Sequence, residues 1–206
     1  MCSPYRQLGG RHRVWGAKFM SMLERRSLLK LGLGAAAGAG LAASPLVGWA
    51  EPLTTSPMRS VSMQNLHTGE TMEGVYWAQG DYVPEVLNAV NEHLRDYRTG
   101  DIYPIHPALL DLLDAVSTRT ETNGAFQVIS GYRSAKTNAM LRERSEEVAK
   151  KSFHIQGMAI DIRLPDVDLD RLHAAALSLG RGGVGYYPDS NFIHIDVGPV
   201  RNWRGA

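Results

Sequence analysis

Ser152-Phe153-His154-Ile155-Gln156-Gly157-Met158-Ala159-Ile160-Asp161 is the stretch that decides how this chain is read, and Phe192-Ile193-His194-Ile195-Asp196-Val197 answers it. From Met158 to Leu164 the apolar residues alternate, which is the period of a half-buried strand. Met158, Ile160, Ile162 and Leu164 fall on one face, and Ala159, Asp161 and Arg163 on the other. The second segment repeats the pattern: Ile193, Ile195 and Val197 share the core face, while Phe192, His194 and Asp196 point the opposite way. Paired in one sheet, the two strands would set Asp161 and His194 side by side. His154 would close the group from the preceding loop, where Gly157 permits a tight turn. Two imidazoles and a carboxylate are the ligand set of a catalytic zinc, which keeps a fourth position open for water. Taken singly, each residue also has a plainer reading, as a hydrogen-bonded structural histidine or a surface aspartate.

Residues 1–50 read as a targeting segment and not as part of the fold. Glu24-Arg25-Arg26-Ser27-Leu28-Leu29-Lys30 carries the paired arginines of a twin-arginine export signal, followed by an apolar run from Leu31 to Ala43. That run is too short and too rich in glycine to be a good membrane span. Gly48-Trp49-Ala50 puts small residues where a signal peptidase reads, so cleavage is expected before Glu51. The product would be periplasmic, with no stable membrane anchor; a short uncleaved anchor is the alternative. Met20 and Met22 are candidate starts, because the segment before Glu24 is long for a signal.

The signal changes the charge argument. It holds seven of the 22 Lys/Arg and one of the 21 Asp/Glu, so the remainder carries 15 basic and 20 acidic groups, a net of −5 with His neutral. There is no basic stripe interleaved with aromatics, which argues against nucleic acid as a partner. Cys2, the only cysteine, goes with the signal. A thiol nucleophile or thiolate ligand is thereby excluded, and any metal must be held by His and carboxylates.

The remaining length fits one domain with one core, expected as a monomer. Residues 51–63 read as a flexible lead-in and 64–206 as the domain. Val75-Tyr76-Trp77 suggests a short strand, paired near Leu66-His67. Val83, Val86, Leu87, Val90 and Leu94 recur at helical spacing, with Pro84 suited to a first turn. A second helix is expected after Pro107 on Leu109, Leu110, Leu113 and Val116, and a strand over Ala125–Ile129. A third helix is expected from Ser134 to about Arg144. A fourth is expected to be capped by Asp168 and stopped by Gly180. Gly183–Tyr186 and Asn191–Val197 complete a hairpin through Pro188-Asp189-Ser190. Helices early and strands late predict an α+β domain, a small antiparallel sheet with helices packed on one side.

Ser130-Gly131-Tyr132-Arg133-Ser134, then His-x-x-Gly-x-Ala-x-Asp over 154–161, then His194-Ile195-Asp196 resemble, in this order, the zinc peptidases of the M15 group. Those enzymes cut D-amino-acid-containing bonds in peptidoglycan, and from about Leu66 to Trp203 the chain is most similar to the murein endopeptidase K family among them. The resemblance implies the architecture shared with hedgehog-type signalling domains. It also implies one zinc per chain, held by His154, Asp161 and His194, and peptidoglycan peptide stems as partners. Arg133 matches an arginine that approaches the scissile carbonyl and stabilises the oxyanion; a salt bridge pinning the helix start is the alternative. Ser130 is expected to cap that helix and Tyr132 to pack.

Several relatives place a catalytic acid three residues before the last zinc histidine, where this chain has Asn191. The general base is therefore open among Asp196, Asp189 and a histidine such as His106 or His67. Asp196 either acts on the water or orients a ligand imidazole. Glu146 and Glu147 read as a solvated helix end, and His173 as structural. The residues describe an exported zinc metallopeptidase, and the resemblance implies that it hydrolyses cross-links between tetrapeptide stems ending at diaminopimelate. A D-Ala-D-Ala carboxypeptidase would need a cationic pocket for a free carboxylate, to which only Arg133 can be assigned. A non-catalytic zinc module that binds the cell wall is the rival from another class.

Overall fold

The computed structural model describes residues 58–144 and 148–205. The expected export signal, the start of the lead-in, and Glu146 and Glu147 lie outside the described residues. In chain order the elements are β1 (Arg59–Asn65), β2 (Thr71–Ala78), β3 (Asp81–Tyr82), α1 (Pro84–His93), α2 (Pro107–Thr120), β4 (Phe126–Ser130) and α3 (Ala135–Arg142). A 3-10 turn over Phe153–Gln156 follows, then β5 (Ala159–Arg163), α4 (Leu169–Ser178), β6 (Gly183–Tyr187), β7 (Phe192–Asp196) and β8 (Arg201–Arg204).

The fold is α+β, but its sheet is larger than expected: eight strands in the order β3-β2-β1-β4-β5-β7-β6-β8. Neighbours are antiparallel except for two parallel pairs, β1 with β4 and β6 with β8. The chain crosses from β1 to β4 through two helices, the kind of long connection a parallel pair needs. Strand β1 begins at Arg59, inside the expected lead-in, and pairs along its length with β2. Ser60, Ser62 and Gln64, alternating with Val61 and Met63, hide the strand from a composition-based reading. Strand β8 was not anticipated either, because Trp203 is its only apolar residue.

One apolar layer joins the helices to the sheet. Val61, Met63, Tyr76, Val128, Ile160, Ile162, Ile193 and Ile195 are buried there with Leu109, Leu110, Leu113, Val116 and Leu172. Helix α1 begins with the expected proline, and α2 buries the expected Leu/Val face. Asp168 occupies the N-cap position of α4 but makes no capping side-chain hydrogen bond. Ile160 pairs with Ile195 and Ile162 with Ile193 across β5 and β7. Burying each is worth roughly 1.5–3 kcal/mol. A slip of one residue would swap them for Asp161 and His194, so the apolar layer fixes the register of the polar one.

Candidate metal centre

The polar face of β5 and β7 holds Asp161 directly opposite His194 and Ala159 opposite Asp196. His154 joins them from the 3-10 turn, which the Ser152 hydroxyl caps by accepting from the His154 N–H at 3.3 Å. Gly157 ends the turn in the left-handed region (φ 64°). A Cβ there would lie 2.2 Å from the Pro104 carbonyl oxygen, so both backbone and space require glycine.

The Ser-Gly-Tyr-Arg segment is the cradle of this histidine. The Gly131 carbonyl faces His154 Nδ1 at 2.7 Å, and the Arg133 N–H donates to the His154 carbonyl at 3.2 Å. Tyr132 packs as expected, stacked on Tyr103. Ser130 does not cap α3: its hydroxyl accepts from Arg133 Nη2 at 3.3 Å, and Ser134 is the cap, accepting from the Thr137 N–H at 3.2 Å. Asp96 also holds this helix start, accepting from the Ser134 N–H at 3.0 Å. Burial would raise the Asp96 carboxyl, but hydrogen bonds from Thr137, Ser134 and Arg98 outweigh it and bring it down to about 2. Arg133 is therefore not needed to pin α3. Its Nη2 instead lies 3.4 Å from Asp161 Oδ2.

Three acceptors converge at the centre. His154 Nε2, Asp161 Oδ1 and His194 Nδ1 are 3.2, 2.9 and 3.1 Å apart around the triangle, and all three residues are buried. The far nitrogen of each ring is committed as a donor, His154 Nδ1 to Gly131 and His194 Nε2 to Asp196 Oδ2 at 2.9 Å. Neutral rings therefore aim lone pairs at one another and at a carboxylate, which is repulsive unless a cation lies among them. Zinc bonds of about 2.0–2.1 Å in a tetrahedron give ligand–ligand edges of about 3.3 Å. The observed triangle comes within a few tenths of an ångström of that, so the residues fit the ion.

Titration behaviour fits the same picture. Burial favours the neutral form of His154. For His194 burial pulls the same way, but Asp161 and Asp196 outweigh it and favour a proton, the smallest cation the triangle can take. Burial would raise Asp161, but the two imidazoles hold it well below the usual carboxylate range.

The triangle floors a cleft of about 350 Å³, large enough for a stretch of peptide. Tyr187, Phe192 and Trp203 form one aromatic wall; Lys151, Val148 and Ala149 lie among the other lining residues, and Arg133 and Arg201 also reach it. Trp203 Nε1 donates to the Tyr187 hydroxyl at 2.8 Å, and Tyr187 stacks on Phe192. Comparison with known proteins decides the family. The family model described as peptidoglycan L,D-endopeptidase MepK matches residues 53–203. The chain belongs to this family.

The peptidoglycan L,D-endopeptidase MepK of Escherichia coli K12 is 44% identical over 179 residues, covering 87% of this chain and 96% of that protein. The protein of the same name from Shigella flexneri gives the same figures. A probable peptidoglycan L,D-endopeptidase MepK of Haemophilus influenzae Rd is 42% identical over 155 residues, 75% of this chain and 83% of that protein. No solved structure matches the chain.

The remaining candidates lie away from the open side of this cleft. Asp196 is fully buried behind His194, and its oxygens accept from His194, Arg201 and the N–H groups of Gly183 and Gly198. Neither oxygen is left for a water in the cleft, so the geometry is that of an orienting carboxylate, not of a base. Burial would raise Asp196, but His194, Arg201 and the Gly198 amide outweigh it and lower it. Asp189 is exposed in the β6–β7 turn and does not line the cleft. Asn191, beside it, has φ 53°, a left-handed position in which Asn is favoured. Asn is compatible with that backbone, as Asp would be. His106 caps α2, its ring accepting from the Ala108 N–H at 3.3 Å, and His67 stacks on Tyr97. Neither lines the cleft. Among the described residues Asp161 is the only carboxylate that does. Sequence reasoning missed Lys151, Arg201 and the aromatic wall; the spacing of Arg201 and Trp203, two apart on one strand, was the available signal.

Proposed function

We propose that this protein is an exported, zinc-dependent peptidoglycan L,D-endopeptidase that hydrolyses the peptide cross-links between stems. The observation that carries the reading is the buried triangle of lone pairs from His154, Asp161 and His194 at the floor of a peptide-sized cleft. Membership of a family whose named relatives are peptidoglycan endopeptidases supports the substrate class. When bound, a zinc would supply Lewis acidity and lower the pKa of a water to near neutrality.

The chain's own residues do the rest. Gly131 and Asp196 hold the two imidazoles by their far nitrogens, so each presents a fixed lone pair. Arg133 places a planar cation beside Asp161, where a carbonyl oxygen gaining charge can be met. Lys151 makes no ion pair among the described residues, and with Arg133 it gives the cleft a positive lining suited to stem peptides, which carry free carboxylates. The aromatic wall gives the backbone of a stem a rigid apolar surface.

Arg25 and Arg26 before the apolar run Leu31–Ala43 support delivery by twin-arginine export to the compartment that holds the substrate. Among the described residues no helix is long and apolar enough to cross a membrane.

The test is turnover of purified cross-linked muropeptide dimers, with and without chelator, beside a zinc determination on the protein. Release of monomers that stops on chelation and returns with zinc is expected. Removal of only a terminal D-Ala would establish the carboxypeptidase reading instead. Binding of murein sacculi with zinc present and no cleavage would establish a non-catalytic wall module.

A further inference from the structure

The C-terminal strand β8 carries a residue that no ligand motif contains. Arg201 forks both oxygens of Asp196, Nη2 to Oδ2 at 2.6 Å and Nη1 to Oδ1 at 3.1 Å. Asp196 is fully buried, whereas the Arg201 side chain is 39% exposed. The guanidinium is itself held, Nη1 donating to the Pro199 carbonyl at 3.1 Å, with Cζ 5.1 Å from the Phe153 ring centre and 5.0 Å from that of Trp203. A planar fork on a carboxylate fixes its plane as well as its place, which an ammonium does not. The plane matters because Oδ2 receives a second donor, His194 Nε2 at 2.9 Å.

Two glycines leave the room for this arrangement. The N–H groups of Gly183 and Gly198 both donate to Asp196 Oδ1, at 3.0 and 2.8 Å. A Cβ on Gly183 would fall 2.4 Å from Arg201 Nη1 and 2.5 Å from Asp196 Oδ2. With every position around Asp196 taken by a donor, His194 can meet it only through an N–H on Nε2. That leaves the Nδ1 lone pair aimed at Asp161 and His154. On the other side of the ring, Trp203 packs over His194 with centres 5.2 Å apart.

We infer that Arg201 is a positioning residue of the metal centre, acting through Asp196 to set the ring orientation and tautomer of His194. The inference rests on the zinc reading proposed above. Removing the fork would let the Asp196 carboxylate turn and His194 lose its single presentation, weakening metal binding without touching a ligand.

The experiment uses the full chain, stripped of metal, with zinc affinity read by competition against a chromophoric chelator. Arg201→Met should bind zinc roughly 10–100-fold more weakly, the range for groups that orient a ligand. Arg201→Lys, which keeps the charge and loses the fork, should weaken it less but measurably. Arg204→Met removes a cation from the same strand that lies over Tyr186 and not on Asp196, and should bind as wild type.

Ring 15N shifts of His194 in the metal-free protein, taken at a pH where the ring is neutral, supply a second readout: one tautomer in wild type, a mixture in the Arg201 variants. An Arg201→Lys protein with wild-type circular dichroism and wild-type zinc affinity would overturn the inference. So would failure of both Arg201 variants to fold, since Arg201 would then be structural. If wild type itself binds no zinc, the functional reading fails, and the His194 shifts still decide whether Arg201 sets the ring.

Discussion

Two regions of the sheet treat their polar groups in opposite ways. At the β1–β3 end, Asp111 of α2 accepts from Arg59 at 2.7 Å, Tyr82 at 2.6 Å and Tyr76 at 3.3 Å. Both oxygens of that carboxylate are met by donors, and the cluster is closed. Around β5 and β7 three ligand atoms face each other, and with both rings neutral no donor lies between them. A protein whose stability margin is a few kcal/mol keeps such a mismatch only where something else completes it. Asp196 sharpens the lesson, because it lies within the mismatched region yet is as saturated as Asp111. Saturation marks it as scaffold, and the unsaturated triangle marks the chemistry.

The largest effects should follow from emptying the triangle. His154→Ala and Asp161→Ala are each expected to lose zinc by more than the roughly 100-fold seen when an orienting group is changed, and to leave no cross-link hydrolysis above background. Metal content by atomic emission and muropeptide chromatography read both. Full zinc content in either variant would show that the ion is held elsewhere and that the mismatch has another meaning.

Arg133 comes next. It touches Asp161 but is not one of the three converging acceptors, so Arg133→Ala should keep zinc and fold. If it meets a developing oxyanion, kcat should fall roughly 10²–10³-fold. A variant that loses only thermal stability would move Arg133 to the scaffold side of the comparison.

His93 offers a smaller effect in the scaffold region, where its Nε2 is buried without a partner among the described residues. Burial pushes its pKa down from 6.5 to about 4; Glu70 opposes this and Arg95 adds to it. Between those two values the unfolded chain holds a proton that the folded one does not. Unfolding free energy should therefore fall as pH drops from about 6.5 to about 4, by about 3 kcal/mol across the window. Denaturant melts of wild type and His93→Gln at several pH values give the difference. Parallel pH slopes for the two proteins would show that His93 is not held neutral.

How much of this was legible follows the strength of each local signal. Asp161 and His194 could be placed side by side because period-two alternation leaves a strand residue only one face, and four buried isoleucines enforce it. His154 sits on a 3-10 turn with no period to read, so only its motif placed it in the group. Arg201 and Trp203 offered only their two-apart spacing, because an edge strand of mostly polar residues resembles a tail, and its parallel pairing with β6 is a long-range fact. The lead-in was read too far for a related reason: β1 buries Val61, Met63 and Asn65 but carries Ser62 and Gln64 between them. At 191 sequence shows residue type and not φ, so the left-handed turn there was not legible.

That last point gives the smallest predicted effect. Asn191 is exposed, its N–H closes a turn onto the Pro188 carbonyl at 3.1 Å, and it lines a shallow groove with Asp168 and Pro188, not the metal cleft. A left-handed residue in a hairpin turn is replaceable by glycine at little cost. Asn191→Gly is expected to change stability by no more than about 0.5 kcal/mol and kcat by no more than about twofold. Asn191→Asp should behave the same way, because restoring an acid in the turn does not bring it to the triangle. The measurement is kcat on one cross-linked dimer for all three proteins. A tenfold gain in the aspartate variant would mean that the turn reaches the reacting bond, and position 191 would then belong with the chemistry and not with the scaffold.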